Sequence, residues 1–401
     1  MAQSFTQAEW DSINAVLDQP GKSEEYGIPA VNDQSVVFAS WNIRKFGALR
    51  DDDGTLKKSE GASRMIARFC AHCDLIAIQE VQSDTEALVA LLDTLNAQGD
   101  HYRLIMSDVT GRVPGYDGMA ERSAFLYDTR KVRLGRIASD LSMDRTAVLQ
   151  NIGAAYATAL EGEFTGDNQP GLMERLQMWV SDVPWLTKVT RKSFVQFIRS
   201  PHLVEFVVDG PDGRYEVQCI NAHLVSGENK TERSNEFFAL LEWLVRDSPN
   251  TVTGPGKAVM VLADLNLDFQ SSVDKRRDGI AAYIADLNER AGLSAHVNFP
   301  FLDGWFFTNA RKDETFDHIA FLADDPHWPR AEHNDLAGTL GAREFDYGMF
   351  DFTRLFREAG PGLLQGGGTD FDRFAHDLTD HMPIWLRMPL PANDQHRFDG
   401  G

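Results

Sequence analysis

The sequence predicts an α/β protein that gathers its chemistry at one edge of its strands. Three observations predict it. Short apolar runs of strand length alternate with amphipathic helical stretches through the first hundred residues. Six apolar runs begin or end in Asn, Asp, Glu or His. The chain has 401 residues, 43% hydrophobic and 25% charged, the composition of a globular protein with one large domain or two ordinary ones.

Taken in order, residues 1–33 read as an N-terminal helical extension. Trp10, Ile13, Val16 and Leu17 fall on one helical face, and Pro20-Gly21 ends it. Residues 36–39 form a strand running into Ser40, Trp41 and Asn42, followed by a polar loop with Arg44 and Lys45. Met65, Ile66 and Phe69 have helical spacing, residues 75–78 are a strand ending in Gln79-Glu80, and Leu88, Leu91, Leu92 and Leu95 line the next helix. Residues 107–118 are turn-rich, and residues 121–127 are a strand that opens on Glu121.

Residues 138–188 do not alternate cleanly and read as an insertion. Strands are expected at 194–198, 203–208 and 216–220, the last ending in Asn221-Ala222-His223. A helix over 232–245 leads into AVMVLADLNLDF, a buried strand that stops at Asp264 and Asn266. One residue apart on extended backbone, these two side chains point the same way. Phe316-Asp317-His318 opens the strand over 319–322, residues 323–378 form a second irregular insertion, and Asp380-His381 opens a strand over 382–386. The domain spans 34–390, and 391–401 is a frayed tail.

Where strands run both up and down, the groups that end some and begin others share a rim. Asn42, Glu80, Asp264, Asn266 and Asp380 are hard oxygen donors of the kind that suit Mg²⁺ or Mn²⁺. His223 and His381 titrate near neutrality and can move protons. Glu121 or Asp317 could fix each imidazole's tautomer. Together they describe metal-assisted hydrolysis of a phosphate ester.

The bulk numbers set exclusions. A net charge of −21 argues against binding nucleic acid through a global basic field, although a site holding cations can reverse the local potential. No apolar run is long enough for a membrane span and no signal-like start is present, so a cytoplasmic location is expected. Cys70 and Cys73 have C-x-x-C spacing without a second pair and read as packing residues.

An ordered set of motifs carries a resemblance: SWNIRKFG from Ser40, IAIQEV from Ile76, ERSAFLYD from Glu121, NAHL from Asn221, LADLN from Leu262, FDHIAF from Phe316 and TDHMPI from Thr379. The set resembles the endonuclease/exonuclease/phosphatase superfamily, of deoxyribonuclease I type. The resemblance implies a four-layered sandwich of two mixed β-sheets flanked by helices. It implies that Asn42, Glu80 and Asp380 hold the principal metal, and that Asp264 and Asn266 hold a second metal or position water and phosphate. His223, oriented by Glu121, would be the general acid, and His381, paired with Asp317, would act on the water or the phosphoryl oxygen. Asn221 and Arg191 would contact substrate phosphate. The chain departs from the usual pattern in having Ala263 for Gly, Leu265 for Phe and Thr379 for Ser, which removes no functional group.

The function expected is therefore a Mg²⁺-dependent (Mn²⁺ possible) DNA endonuclease, with nucleic acid as partner, no membrane and no obligate protein partner. A phosphomonoesterase or other small phosphoester hydrolase is the alternative. A binding module that has lost catalysis is the second, weakened by the full ligand set.

Overall fold

The computed structural model describes residues 4–97, 99, 101–111, 120–141, 197–225, 230–246, 252–266, 282–286, 289, 296–304, 306–338, 345–360 and 368–391. Two mixed sheets of six strands pack face to face between helices, the four-layered α/β sandwich expected. The first has the order β11(Asp346–Met349), β12(Ile384–Pro389), β1(Ser35–Phe46), β2(Leu75–Gln82), β4(Glu121–Asp128), β3(Tyr102–Met106). The second has the order β5(Val132–Asp140), β6(His202–Gly210), β7(Gly213–His223), β8(Lys257–Asp264), β10(Asp317–Ala323), β9(His296–Asn298).

Each sheet is built around one parallel pair, β1 with β2 and β7 with β8, and every other pairing is antiparallel. A parallel pair needs a crossover, supplied here by helices α3(Glu60–Cys70) and α5(Lys230–Arg246). Between these fall α4(Glu86–Asn96) and, before them, α1(Gln7–Leu17) and α2(Lys22–Glu25). The later helices are α6(Pro300–Gly304), α7(Phe352–Ala359) and α8(Gly368–Asp377).

Alternation decides which layer each strand residue enters. Val36 and Phe38 face the other sheet, whereas Val37, Ala39 and Trp41 face the helices. On β8, Ala258, Met260 and Leu262 face inward, and Val259, Val261 and Ala263 pack outward against α5. The inward stripes meet in an inter-sheet core that includes Phe38, Phe125, Phe206, Met260 and Phe321.

The N-terminal helix joins the outer layer of the first sheet. Thr6 caps it in a capping box with Glu9, and Trp10, Ile13 and Leu17 are buried. Trp10 meets Phe356 of α7 edge-on at 5.3 Å, and the Phe5 amide donates to Asp377 Oδ2 at 2.9 Å. A Cβ on Gly61 would lie 2.1 Å from the Trp10 ring, so only glycine lets α1 and α3 approach this closely.

Several expectations are corrected. Strand β1 continues through Arg44 and Lys45, where a loop was expected, because Phe46 is buried and extends the pairing with β2 to Val81. The strand expected over 194–198 is not present in its described part: Phe197 and Ile198 lie outside strands, and the Ile198 amide is taken by Glu236 Oε1 at 3.0 Å. The segment 323–378 is more regular than expected, with a 3₁₀ turn over Ala331–Leu336, edge strand β11 and helices α7 and α8. Of the insertion expected at 138–188 only the end of β5 and residue 141 are described. Cys70 and Cys73 are buried, and burial pushes both thiols up, as suits packing residues. No helix among the described residues is long and apolar enough to cross a membrane.

Candidate active site

The inward stripes that build the core change character at one end. On β1 the sequence Val36, Phe38 continues with Ser40 and Asn42; on β2, Leu75 and Ala77 continue with Gln79. On β7, Val217 and Cys219 lead to Asn221 and His223, and on β8, Met260 and Leu262 lead to Asp264. Antiparallel β10 begins where those strands end, so its inward stripe starts at Asp317 and becomes apolar at Ile319 and Phe321. Strand pairing puts Asp264 level with His223 on one side and Asp317 on the other. A buried polar end of this kind is stable only if its groups satisfy one another or bind a ligand.

They satisfy one another across the gap between the sheets. Asn42 Nδ2 donates to Asp264 Oδ2 at 2.9 Å and to Glu80 Oε1 at 3.1 Å. The same Asp264 oxygen lies 3.6 Å from His223 Nε2 and 3.7 Å from His381 Nε2. Each imidazole is held from behind: His223 Nδ1 donates to Glu121 Oε2 at 2.8 Å, and His381 Nδ1 to Asp317 Oδ2 at 2.9 Å. Two carboxylate–imidazole dyads thus converge on one carboxylate oxygen. With Nδ1 committed, the proton that each ring can exchange sits on Nε2.

Backbone contacts aim these groups. The Trp41 indole donates to the His381 carbonyl at 2.9 Å, and Thr379 Oγ1 donates to the Asn42 carbonyl at 2.8 Å. Thr308 Oγ1 accepts the amides of Phe316 and Asp317, both at 3.0 Å. Glu80 and Asn266 adopt left-handed backbone (φ 57° and 50°), as does Lys45 (φ 54°), whose amide donates to Glu80 Oε2 at 3.0 Å. Such conformations cost non-glycine residues about 1–3 kcal/mol each and persist where the surroundings hold them.

Burial works against charge on His381 and His223, but Asp317 and Asp264 outweigh it for the first and hold its pKa well above the ordinary value. For His223, burial and the Arg199 charge pull downward, while the bond to Glu121 and the charges of Asp264 and Glu121 leave a net rise. Glu121 is itself buried, which alone would raise it; the His223 hydrogen bond and Arg199 bring it below the usual carboxylate range.

Sequence reasoning missed Arg199 and Gln79. Arg199 pairs with Glu121 at 2.9 Å, and it lies just before β6, outside every motif. Gln79 donates to Asn221 Oδ1 at 2.8 Å, and its inward parity after Leu75 and Ala77 was the available signal. The Asn221 amide nitrogen in turn donates to the carbonyls of Ile78 and Ala124 at 3.1 and 2.8 Å, so this side chain ties the sheets together. Asn266 donates to the Leu224 carbonyl at 3.0 Å, and its amide to Asp264 Oδ1 at 3.0 Å. Asp380 pairs with Arg44 at 2.5 Å. Arg191 lies outside the described residues.

Two features fit a cation. Asn42 Oδ1 is buried without a hydrogen-bond partner, an orphaned acceptor on the side chain whose Nδ2 meets Glu80 and Asp264, so turning the amide over would add its oxygen to these carboxylates as a donor set. Asp264, Asp317 and His381 also bring ligand atoms within 4.8 Å of one another and could hold a metal ion. In the structure that second cluster is bridged by the His381 ring itself, whose raised pKa supplies the compensating positive charge.

No protein-family model matches the chain, and no curated protein sequence matches it. Solved structures are similar at low identity. An endonuclease/exonuclease/phosphatase family protein from Bacteroides thetaiotaomicron is 13% identical (TM-score 0.44), with 90% of this chain and 99% of that one covered. The human nocturnin catalytic domain with bound sulfate is 12% identical (TM-score 0.46), covering 90% and 96%. D. rerio TDP2 complexed with single-strand DNA product is 12% identical (TM-score 0.40), covering 88% and 99%. By its own sheet order and layering, the chain has the deoxyribonuclease I-like fold that the motif set implied.

Proposed function

We propose that the protein is a divalent-metal-dependent phosphodiesterase, and specifically a Mg²⁺-dependent DNA endonuclease. The observation that carries this reading is the convergence of two carboxylate-anchored imidazoles on Asp264 beside the oxygen donors Asn42, Glu80 and Asp380. Asn42, Glu80 and Asp380 would hold the ion. When bound, it would polarise the phosphoryl oxygens and offset the charge that develops on them.

The chain's own residues do the rest. His223, kept protonated at Nε2 by Glu121, donates a proton to the oxygen of the departing sugar. Asp264, whose Oδ2 faces both rings, orients the attacking water and accepts its proton. His381 stays protonated at Nε2 through Asp317 and neutralises a phosphoryl oxygen. Asn266, fixed by its bonds to Leu224 and Asp264, lies at the same rim and positions the substrate. Asn221 supports this arrangement from the sheet interface.

The test is incubation of the protein with supercoiled plasmid in Mg²⁺, in Mn²⁺ and in EDTA. Nicking that needs the metal and is lost in Asp264→Ala and in His381→Ala is expected. Cleavage that survives both substitutions, or proceeds in EDTA, would overturn the assignment.

A further inference from the structure

Beside the candidate active site, two adjoining cavities share the side chains Lys45, Lys57 and Lys58 as a common wall. The first, of about 450 Å³, lies between the segment that follows β1 and helix α8, and it also takes in Arg44 and His376. The second, of about 300 Å³, runs down between α3 and α4 onto an apolar floor of Phe46, Leu56, Ile66 and Leu91. Arg44 connects the first cavity to the site through its ion pair with Asp380 at 2.5 Å, and the Lys45 amide connects the shared wall to Glu80.

The charge here runs against that of the chain. With a net charge of −21, the protein's field repels an anion at long range, so an anion binds only where cations are locally concentrated. Four cationic side chains line the first cavity against the carboxylates of Asp51 and Asp372. Lys57 lies a loose 3.9 Å from Asp51, while Lys58 bonds to the Leu378 carbonyl and is held at the boundary of the two cavities. A basic chamber opening onto an apolar slot is complementary to a group with an anion at one end and a flat apolar body at the other.

We propose that these cavities form a subsite for one nucleotide flanking the scissile bond, its phosphate against Lys57 and Lys58 and its base in the apolar slot between α3 and α4. The proposal rests on the phosphodiesterase reading and adds where the strand is gripped beside the scissile bond, a contact that a minimal phosphodiester lacks.

The test separates the two. Binding of fluorescein-labelled trithymidylate is measured by anisotropy in Mg²⁺ with the full chain carrying Asp264→Asn, which prevents turnover. Adding Lys57→Glu removes the phosphate contact and adding Ala90→Trp fills the slot; each is expected to weaken binding about tenfold. Lys57→Ala, which removes the charge without placing a second carboxylate beside Asp51, repeats the first test should the charge reversal disturb the loop. In the otherwise wild-type chain, Lys57→Glu and Ala90→Trp should leave hydrolysis of bis(4-nitrophenyl) phosphate unchanged. Undiminished trithymidylate binding in the variants, equal loss on both substrates, or stronger competition by a short-chain phosphatidic acid than by unlabelled trithymidylate overturns the subsite. Variant-sensitive binding with no hydrolysis of any diester by the wild type instead overturns the phosphodiesterase reading and leaves the nucleotide subsite standing.

Discussion

His381 and Asp317 meet at 2.9 Å although they belong to different sheets, His381 just before β12 in one and Asp317 at the start of β10 in the other. Asp317 is fully buried, and its second oxygen has no hydrogen-bond partner. Its charge is therefore directed at the imidazole. Replacing it with Asn keeps the shape and removes the charge. Plasmid nicking by Asp317→Asn should fall by about 10²–10³, the usual cost of losing one donor that stabilises developing charge. NMR titration should show the His381 pKa moving down towards the ordinary value. An unchanged titration would sink the dyad.

Glu121 serves two partners, His223 and Arg199, with 3% of its side chain exposed. Glu121→Gln should lower activity through His223 and destabilise the fold through Arg199, a largely buried charge that would lose its paired carboxylate and keep the more distant Glu236. Breaking a buried pair in this way costs about 3–5 kcal/mol. Urea unfolding of the variant tests the second effect independently of catalysis, and the double variant Glu121→Gln, Arg199→Met should recover part of the loss.

The cation assignment makes a prediction about stability as well as rate. A ligand that binds only the folded state stabilises it by about 2.7 kcal/mol at a hundredfold excess over its Kd. The melting temperature of the wild type should rise as Mg²⁺ is added, and that of Glu80→Ala should not. Equal shifts in both proteins would move the ion away from Asn42 and Glu80.

His318 gives a pH dependence with a definite sign. Its ring is buried on β10, 6.1 Å from the Phe299 ring, and burial pushes its pKa down to about 4 against the weaker upward pull of Thr315 and Asp264. The unfolded chain binds a proton at this ring near pH 6.5 and the folded chain does not. Stability from this group is complete above pH 6.5 and is lost as pH falls towards 4, roughly 3 kcal/mol in all. Between pH 7 and 4.5 the stability of His318→Phe should therefore fall less steeply than that of the wild type.

Gly61 of α3 lies directly against the Trp10 ring of α1. Gly61→Ala forces the Trp10 ring or the helix to move and should cost about 1–3 kcal/mol in thermal or denaturant unfolding. Activity at low temperature should be unaffected, since α1 lies outside the rim.

The parts of the fold legible in the sequence are those where alternation and chemistry coincide. Asn42, His223, Asp264 and Asp317 continue the inward parity of Phe38, Val217, Met260 and Ile319, so the pattern that places the core also places them. Arg199 was not legible because its meaning lies in Glu121, 78 positions away on the other sheet. The edge strand β11 and helices α7 and α8 were missed for a different reason. The apolar residues of α7, α8 and the segment between β11 and α7, among them Phe350, Phe352, Leu355, Phe356 and Phe374, crowd around a helix layer shared with α1 and follow no clear strand period. Phe197 and Ile198 carry strand-like side chains, yet their position is set by Glu236 and the start of β6.

The pairs at the rim, Asn42 with Asp264, Glu121 with His223 and Asp317 with His381, all join one sheet to the other. The second sheet is drawn from one continuous stretch of chain, between Val132 and Ala323, while the first is assembled from what precedes and follows it. During folding, either sheet can form its ladders completely and still contain no proton-transfer dyad. Catalytic competence is thus a property of the final docking step. On the proposed phosphodiesterase reading, a compact intermediate with full secondary structure would be inactive, and activity would wait until β12, the last of the described strands, is in place.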